Sequence, residues 1–212
     1  MNQVSDNVQS PDPTPKTARG RMTRQKLLDA AENEFGERGF HAAAINRITE
    51  NAGVAMGTFY VHFPRKEAIF RALVAHLGHQ VRRSIAMRVA GAANRLEAER
   101  RGLQAYIEFT RTHRNIYRIV NEAEFIAPDA YRAHYESFVS GYVTGLREAE
   151  RKGEIAIGEP EPRAWALIGA SVFLGMRYGV WDDSPATEAV IQTVGDLIEF
   201  GLSSRKPAAN GG

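Results

Sequence analysis

From Ile48 to Phe70 the chain reads ITENAGVAMGTFYVHFPRKEAIF, and this stretch limits the fold more than any other. Gly53 interrupts one run of apolar residues at helical spacing, Pro64 closes a second, and both runs are short. Helices of that length are marginal alone in water, so a longer neighbour must hold them. One precedes them: Leu27, Leu28, Ala31 and Phe35 recur at helical spacing between Thr23 and Arg38, charges take the other side, and Gly39 supplies a C-terminal stop. Ile45, Ile48 and Ala52 make the first short helix, with Asn46 and Arg47 outward, and residues from about Ala55 to His62 make the second. Behind Pro64 a longer helix begins near Arg65 or Lys66 and runs to about Ala90. Two short helices across a glycine turn, propped by a longer one, describe a helix-turn-helix.

The second short helix contains a glycine whose position is informative. At about 100° per residue, Phe59 and Phe63 share one face, which should pack on Phe35, Phe40 and Ile48, while Gly57 and Val61 point the other way between Thr58 and Tyr60. A glycine inside a helix costs about 1 kcal/mol against alanine. On an outward face that cost is explained by close approach of another surface. In a DNA major groove the surface would be base edges, with Val61 touching a thymine methyl and Thr58 and Tyr60 reaching phosphates or bases. Lys66, with the free N–H groups that open the next helix, suits a phosphate; Arg24 suits one at the first helix, and Arg19 and Arg21 could follow the minor groove or backbone. Competing readings stand beside these: Tyr60 and His62 as partly buried side chains, Met56 as core, Arg47 as a solvated charge.

Charge supports the nucleic-acid reading. The net charge of +2 is unevenly divided, because Lys16 to Arg71 holds ten basic and six acidic residues, a surplus of four. The positive excess therefore belongs to the helix-turn-helix region.

At this point the residues carry a family likeness. LLDAAENEFGERGF, the AGV turn, GTFYVHF and the Pro-Arg-Lys-Glu that follows resemble the DNA-binding domain of the TetR (TetR/AcrR-type) family of bacterial transcriptional regulators. The resemblance implies an all-α protein: an N-terminal three-helix DNA-binding head, joined through a long fourth helix to a larger helical ligand-binding and dimerisation domain. It implies DNA contacts by Thr58, Tyr60, His62 and Lys66, mostly to phosphate, with sequence read around Met56, Gly57 and Val61. With Arg21, Arg24, Ala44 and Arg47, these form the candidate DNA-facing set. Departures from the family pattern are Ala43 and Ala55, where threonine and serine are usual and a capping or phosphate-binding hydroxyl is lost, and Thr49, where alanine is typical. The expected organisation is a disordered arm over 1–20, the head over 21–68, the helical domain over 69–204 and a disordered tail over 205–212.

Beyond the head, helical patterns run from Asn94 to Arg114, Ile116 to Phe125, Pro128 to Lys152, Glu161 to Trp181 and Pro185 to Leu202. The last two are candidates for a homodimer interface: Trp165, Ile168, Val172 and Met176 beside the small Gly169, Ala170 and Gly175, then Val190, Val194, Leu197 and Ile198. Burial within one subunit is the alternative. A dimer would align two heads on a near-palindromic DNA operator with half-sites about one helical turn, or a multiple, apart. Aromatic residues crowd the middle helices. Tyr106, Phe109, Tyr117, Tyr135, Phe138, Trp165 and Phe173 could line a small-molecule site, with His113, Arg114 and Arg118 receiving the acidic group of an effector such as an aromatic acid or an acyl-CoA. The same aromatics could be core, and Arg118 could simply pair with Glu122.

Other function classes lack their residues. There is no cysteine, hence no disulfide or thiolate chemistry, which suits a reducing compartment. Gly169 to Phe173 reads GASVF where a serine-hydrolase elbow needs GxSxG, and no glycine-rich phosphate loop follows a strand. His76 and His79 have helical spacing but no convincing third ligand, so neither catalysis, a metal nor a cofactor is expected. No segment reads as a signal peptide or membrane span, and a cytoplasmic DNA-binding regulator is the expected function. A helical interaction module without DNA binding is the alternative.

Overall fold

A computed structural model of the chain describes residues 15–182 and 188–202. All regular structure among these residues is helical: α1 (Ala18–Ala42), α2 (Ile45–Ala52), α3 (Met56–His62), α4 (Lys66–Val89), α5 (Arg95–Thr112), α6 (Ile116–Ile126), α7 (Pro128–Arg151), α8 (Pro160–Gly175), which continues as π-helical turns over Met176–Trp181, and α9 (Glu188–Leu202). Two compact units divide within α4, between Leu73 and Val74. The polar N-terminus through residue 14, Pro185 and the expected C-terminal tail at 205–212 lie outside the described residues.

The first unit is built as its apolar spacing dictates. Thr17 caps α1, its hydroxyl accepting from the Gly20 N–H at 3.0 Å, so the helix begins at Ala18, ahead of Thr23 and inside the stretch expected to be a disordered arm. Gly39 leaves helical geometry at φ 75°, ψ 168°, where the stop was expected. Leu27, Phe35, Ile48, Phe59, Phe63, Phe70 and Leu73 are wholly buried. The Phe35 and Phe70 rings meet edge to face at 5.1 Å between centroids, and Phe40 and Phe70 do so at 5.0 Å.

The second unit holds α5 to α9 and the rest of α4. Its main core joins Val139, Leu146 and Ala149 of α7 to Ala164, Leu167 and Ile168 of α8; a smaller one joins Leu103 and Ile107 of α5 to Ile191 of α9. Asn94 caps α5 by accepting from the Glu97 N–H at 2.9 Å, while the Glu97 carboxylate accepts from the Ala93 N–H at 2.6 Å. The Arg111 guanidinium donates twice to the Tyr178 carbonyl, at 2.9 and 3.1 Å, inside the π-helical segment.

Candidate nucleic-acid interface and ligand cavity

The turn between α2 and α3 has one conformation open to it. Gly53 lies in the left-handed region at φ 65°, ψ 38°, its N–H donates to the Glu50 carbonyl at 3.1 Å, and the Val54 N–H donates to the Thr49 carbonyl at 3.0 Å. Thr49 is buried and its hydroxyl donates to the Asn46 carbonyl at 2.8 Å, so this residue is used inside the head. Neither Ala44 nor Ala55, the residues that start α2 and α3, offers a side-chain cap. For α2 the loss is offset from α1, where the buried Glu34 carboxylate accepts from the Ala44 N–H at 3.1 Å and from Arg38 Nε at 3.3 Å.

α3 presents an open outer face. A Cβ placed on Gly57 would meet nothing within 4 Å. Val61 is 73% exposed and Tyr60 54%. Met56, which could have been core, is exposed because it lies in the first turn; Arg47 on α2 is exposed and Ala44 half-buried. Lys16, Thr17, Arg19, Gly20 and Thr23 border a groove together with Val61 and His62, bringing the basic start of α1 beside the outward face of α3. Arg21 is exposed and Nη1 donates to the Lys16 carbonyl at 3.0 Å.

Three residues expected to reach phosphate stand differently. His62 is buried, 6% exposed. Three positions on from Phe59, it falls only about 60° from the packed face. The Arg24 guanidinium lies over the Phe63 ring, 4.5 Å from its centroid, in a cation–π contact. Lys66 Nζ donates to the carbonyls of Phe40 at 2.7 Å, Ala43 at 2.9 Å and His41 at 3.3 Å. Those carbonyls end α1, where intrahelical donors run out and a cation is favoured. Lys66 therefore clamps the α1 terminus from the start of α4. Replacing it with methionine should destabilise the first unit by about 2 kcal/mol through unsatisfied carbonyls, measured by denaturant unfolding. The salt dependence of any DNA binding should keep its slope, whereas loss of a phosphate contact would lower that slope by about 0.9.

In the second unit, a cavity of about 30 Å³ is walled by Val81, Ile85, Gly102, Tyr106, Ile116, His134, Tyr135, Phe138, Tyr142, Ile168, Ser171 and Val172. A wider chamber of about 310 Å³ shares Ile85, Gly102, Phe138 and Tyr142 with it and adds Arg82, Arg95, Glu99 and Ser137. Burial pushes the hydroxyls of Tyr106, Tyr117, Tyr135 and Tyr142 above the usual phenol range, so they stay neutral donors. Tyr117 donates to the Val172 carbonyl at 2.6 Å and lies 3.3 Å from the Tyr106 hydroxyl.

Of the residues expected to hold an effector, Tyr106, Tyr135 and Phe138 line the cavity. The basic cluster does not. His113 stacks on buried Phe109 at 4.2 Å between centroids, Arg114 is exposed, and Arg118 pairs with Glu122 at 3.3 Å. Trp165 and Phe173 face outward, at 44% and 68% exposure. Sequence reasoning missed Arg82, His134 and Ser137. The signal available for His134 was a polar residue among Tyr131, Tyr135 and Phe138, which share one helical face.

The outward apolar stripe on α8 is also rotated from the expected one. Ile168 is buried in its own subunit's core, Val172 packs against that core, and Met176 is half-buried in the π-helical turns. Trp165, Gly169 and Phe173, four residues apart, form the face toward solvent, and a Cβ on Gly169 would meet nothing within 4 Å. On α9, Leu197 is exposed, while Val194 and Ile198 pack inward and Val190 is half-buried. Both flanks of α8 are apolar, so spacing could not say which one its own subunit covers.

Among the described residues no three His, Cys, Asp or Glu side chains converge as metal ligands, and no helix is long and apolar enough to cross a membrane.

Residues 27–73, Leu27 through Leu73, match the profile of bacterial regulatory proteins of the tetR family. Residues 27–73 are a DNA-binding domain of the tetR type. The transcriptional regulator YdgC of Bacillus subtilis is 42% identical over 66 residues, which take in 31% of this chain and 34% of that protein; the chain thus spans about a third of that relative's length. The transcriptional activator FasR of Mycolicibacterium smegmatis is 25% identical over 184 residues, covering 80% of each. Among solved structures, GusR of Salmonella enterica superposes with a TM-score of 0.75 at 20% identity over 89% of this chain and 99% of that one, a likeness of fold. YdgC is named as a transcriptional regulator and FasR as a transcriptional activator.

Proposed function

We propose that this chain is a ligand-responsive DNA-binding transcriptional regulator of the TetR family that acts as a homodimer in the cytoplasm and represses from a near-palindromic operator. The observation that carries the reading is the outer face of α3, where Gly57 is open and Val61 and Tyr60 are exposed beside the basic start of α1. Such a face can enter a major groove, with Thr58, Tyr60 and Arg47 beside the strands and Met56, Gly57 and Val61 near the base edges. Arg21 and Arg19 add charge for the backbone. The exposed stripe of Trp165, Gly169 and Phe173 with Leu197 supports self-association.

The effector is an apolar or acidic small molecule held in the cavity among α4, α5, α7 and α8. It releases DNA to the extent that it binds one arrangement of the dimer better than the other. The test is fluorescence anisotropy with the DNA beside the chain's own gene, across a salt series and against scrambled DNA. A sequence-selective, salt-dependent shift is the expected result. Equal binding to both DNAs, or none, would leave the helical interaction module as the function. Transcription from that promoter in vitro should fall on adding protein; a rise would make it an activator.

A further inference from the structure

We infer that the effector is a monocarboxylic acid with an apolar chain or ring, its carboxylate seated against Arg82 beside Ser137 and His134; the inference rests on reading this cavity as the effector site. Arg82 is half-buried, Nη1 donates to Ser137 Oγ at 2.5 Å, and the guanidinium lies 5.2 Å from the Phe138 ring centroid. Among the described residues no carboxylate pairs with it. Burial lowers its affinity for its proton, with no acidic neighbour opposing the shift. A guanidinium has five donors, and a partly desolvated one without a counter-charge is costly. The other arginine of the chamber is already matched: Arg95 Nε donates to Glu99 Oε1 at 2.6 Å, and the Tyr142 hydroxyl donates to Glu99 Oε2 at 3.3 Å. The chamber wall therefore carries one unmatched positive charge, at Arg82.

A second observation points to the same spot. His134 is 9% exposed and its interior Nδ1 has no hydrogen-bond partner. A Cβ on Gly78 would lie 2.8 Å from that Nδ1 and 3.2 Å from Arg82 Nη1, so both nitrogens pack against the bare backbone of Gly78 and stand close to each other. A carboxylate accepting from Arg82 supplies the counter-charge that side chain lacks. The apolar remainder lies along Ile85, Phe138 and Tyr142 in the wider chamber. A thioester of the same acid presents a neutral carbonyl there and leaves Arg82 without a counter-charge, so the free acid is the ligand.

Isothermal titration calorimetry of the full chain with octanoate, octan-1-ol and octanoyl-coenzyme A tests this. Octanoate should bind at least about tenfold more tightly than the other two. R82Q should weaken octanoate about ten- to a hundredfold and leave octan-1-ol within about twofold, erasing the head-group preference. R82K, which keeps the charge and loses the planar fork, should fall between and serves if R82Q does not fold; R151Q, an exposed arginine on α7, should change nothing. Octan-1-ol binding as well as octanoate, a preference that survives R82Q, or no octanoate binding by folded protein would overturn the inference. The DNA titration on the same preparation keeps the two readings apart: a protein that shifts its operator and ignores octanoate loses only this inference, and one that binds octanoate but no DNA loses the regulator.

Discussion

Replacing Gly57 with leucine is expected to lower specific DNA affinity by about a thousandfold, to the non-specific level, without unfolding the protein. Replacing it with alanine should weaken binding about tenfold while raising the stability of the first unit by about 0.5–1 kcal/mol. The opposite signs follow from one geometric fact. Inside the chain nothing lies within 4 Å of a Cβ at this position, so a side chain there meets no resistance and the helix gains in backbone entropy. The neighbouring Val61 and Tyr60 are exposed, so the surface that requires a bare backbone must be external. Denaturant unfolding gives the stability change and anisotropy at fixed salt gives the affinity. A leucine variant that binds its operator as the native chain does would remove the basis for putting α3 in the groove.

Lowering the pH from 7 to 4 is expected to remove roughly 3 kcal/mol of stability from the second unit through His134 alone. Burial is the main cause of its depressed pKa, pushed down to about 4; a hydrogen bond to the Val74 carbonyl opposes the shift and the charge of Arg82 on α4 adds to it. Its other near neighbours are uncharged, Tyr135 and Phe138 on its own helix α7 and Tyr106 across the cavity. In the unfolded chain the ring takes a proton near pH 6.5, which the folded chain refuses until about pH 4. The stability is therefore fully present above about pH 6.5 and is lost as the pH falls toward 4. Glu99 works the other way, because burial raises its carboxyl despite Arg95. The clean measurement is the difference between the native chain and H134Q, unfolded in denaturant at pH 7 and at pH 4.5. The native chain should lose roughly 2 to 3 kcal/mol more than the variant; parallel losses would show that His134 does not resist protonation.

The two units differ in how much of them could be read beforehand, and the difference is physical. In the head, α2 ends and α4 starts within a residue of the expected positions, because Gly53 and Pro64 act on the backbone locally and need no tertiary partner. Phe59 and Phe63 are buried and Gly57 and Val61 outward, as the angular projection requires. Exposure was legible; occupation was not. Lys66 and Arg24 have the charge and position for phosphate, yet carbonyls twenty-odd residues back in the chain hold the one and the Phe63 ring attracts the other. His62 sat near enough the packed face that a modest angular difference decided its burial.

In the larger unit the helices were legible and their facing was not. α8 is apolar on more than one flank, so the residues at its outer surface depend on where α7 packs; Val139 and Leu146 claim Ile168 and leave Trp165 and Phe173 outside. The basic residues His113, Arg114 and Arg118 looked like the anchor for an anion because they are close in sequence to aromatics, whereas the unmatched Arg82 comes from α4 and meets Ser137 fifty-five residues later. By itself, then, the sequence determined the all-helical class, the helix-turn-helix and its outward glycine, since these follow from periodicity and from backbone rules that act within a few residues. Only the tertiary structure decided which cations are already taken, which flank of α8 meets water, and where a buried charge waits for a counter-ion, because each depends on chain segments that come together only on folding.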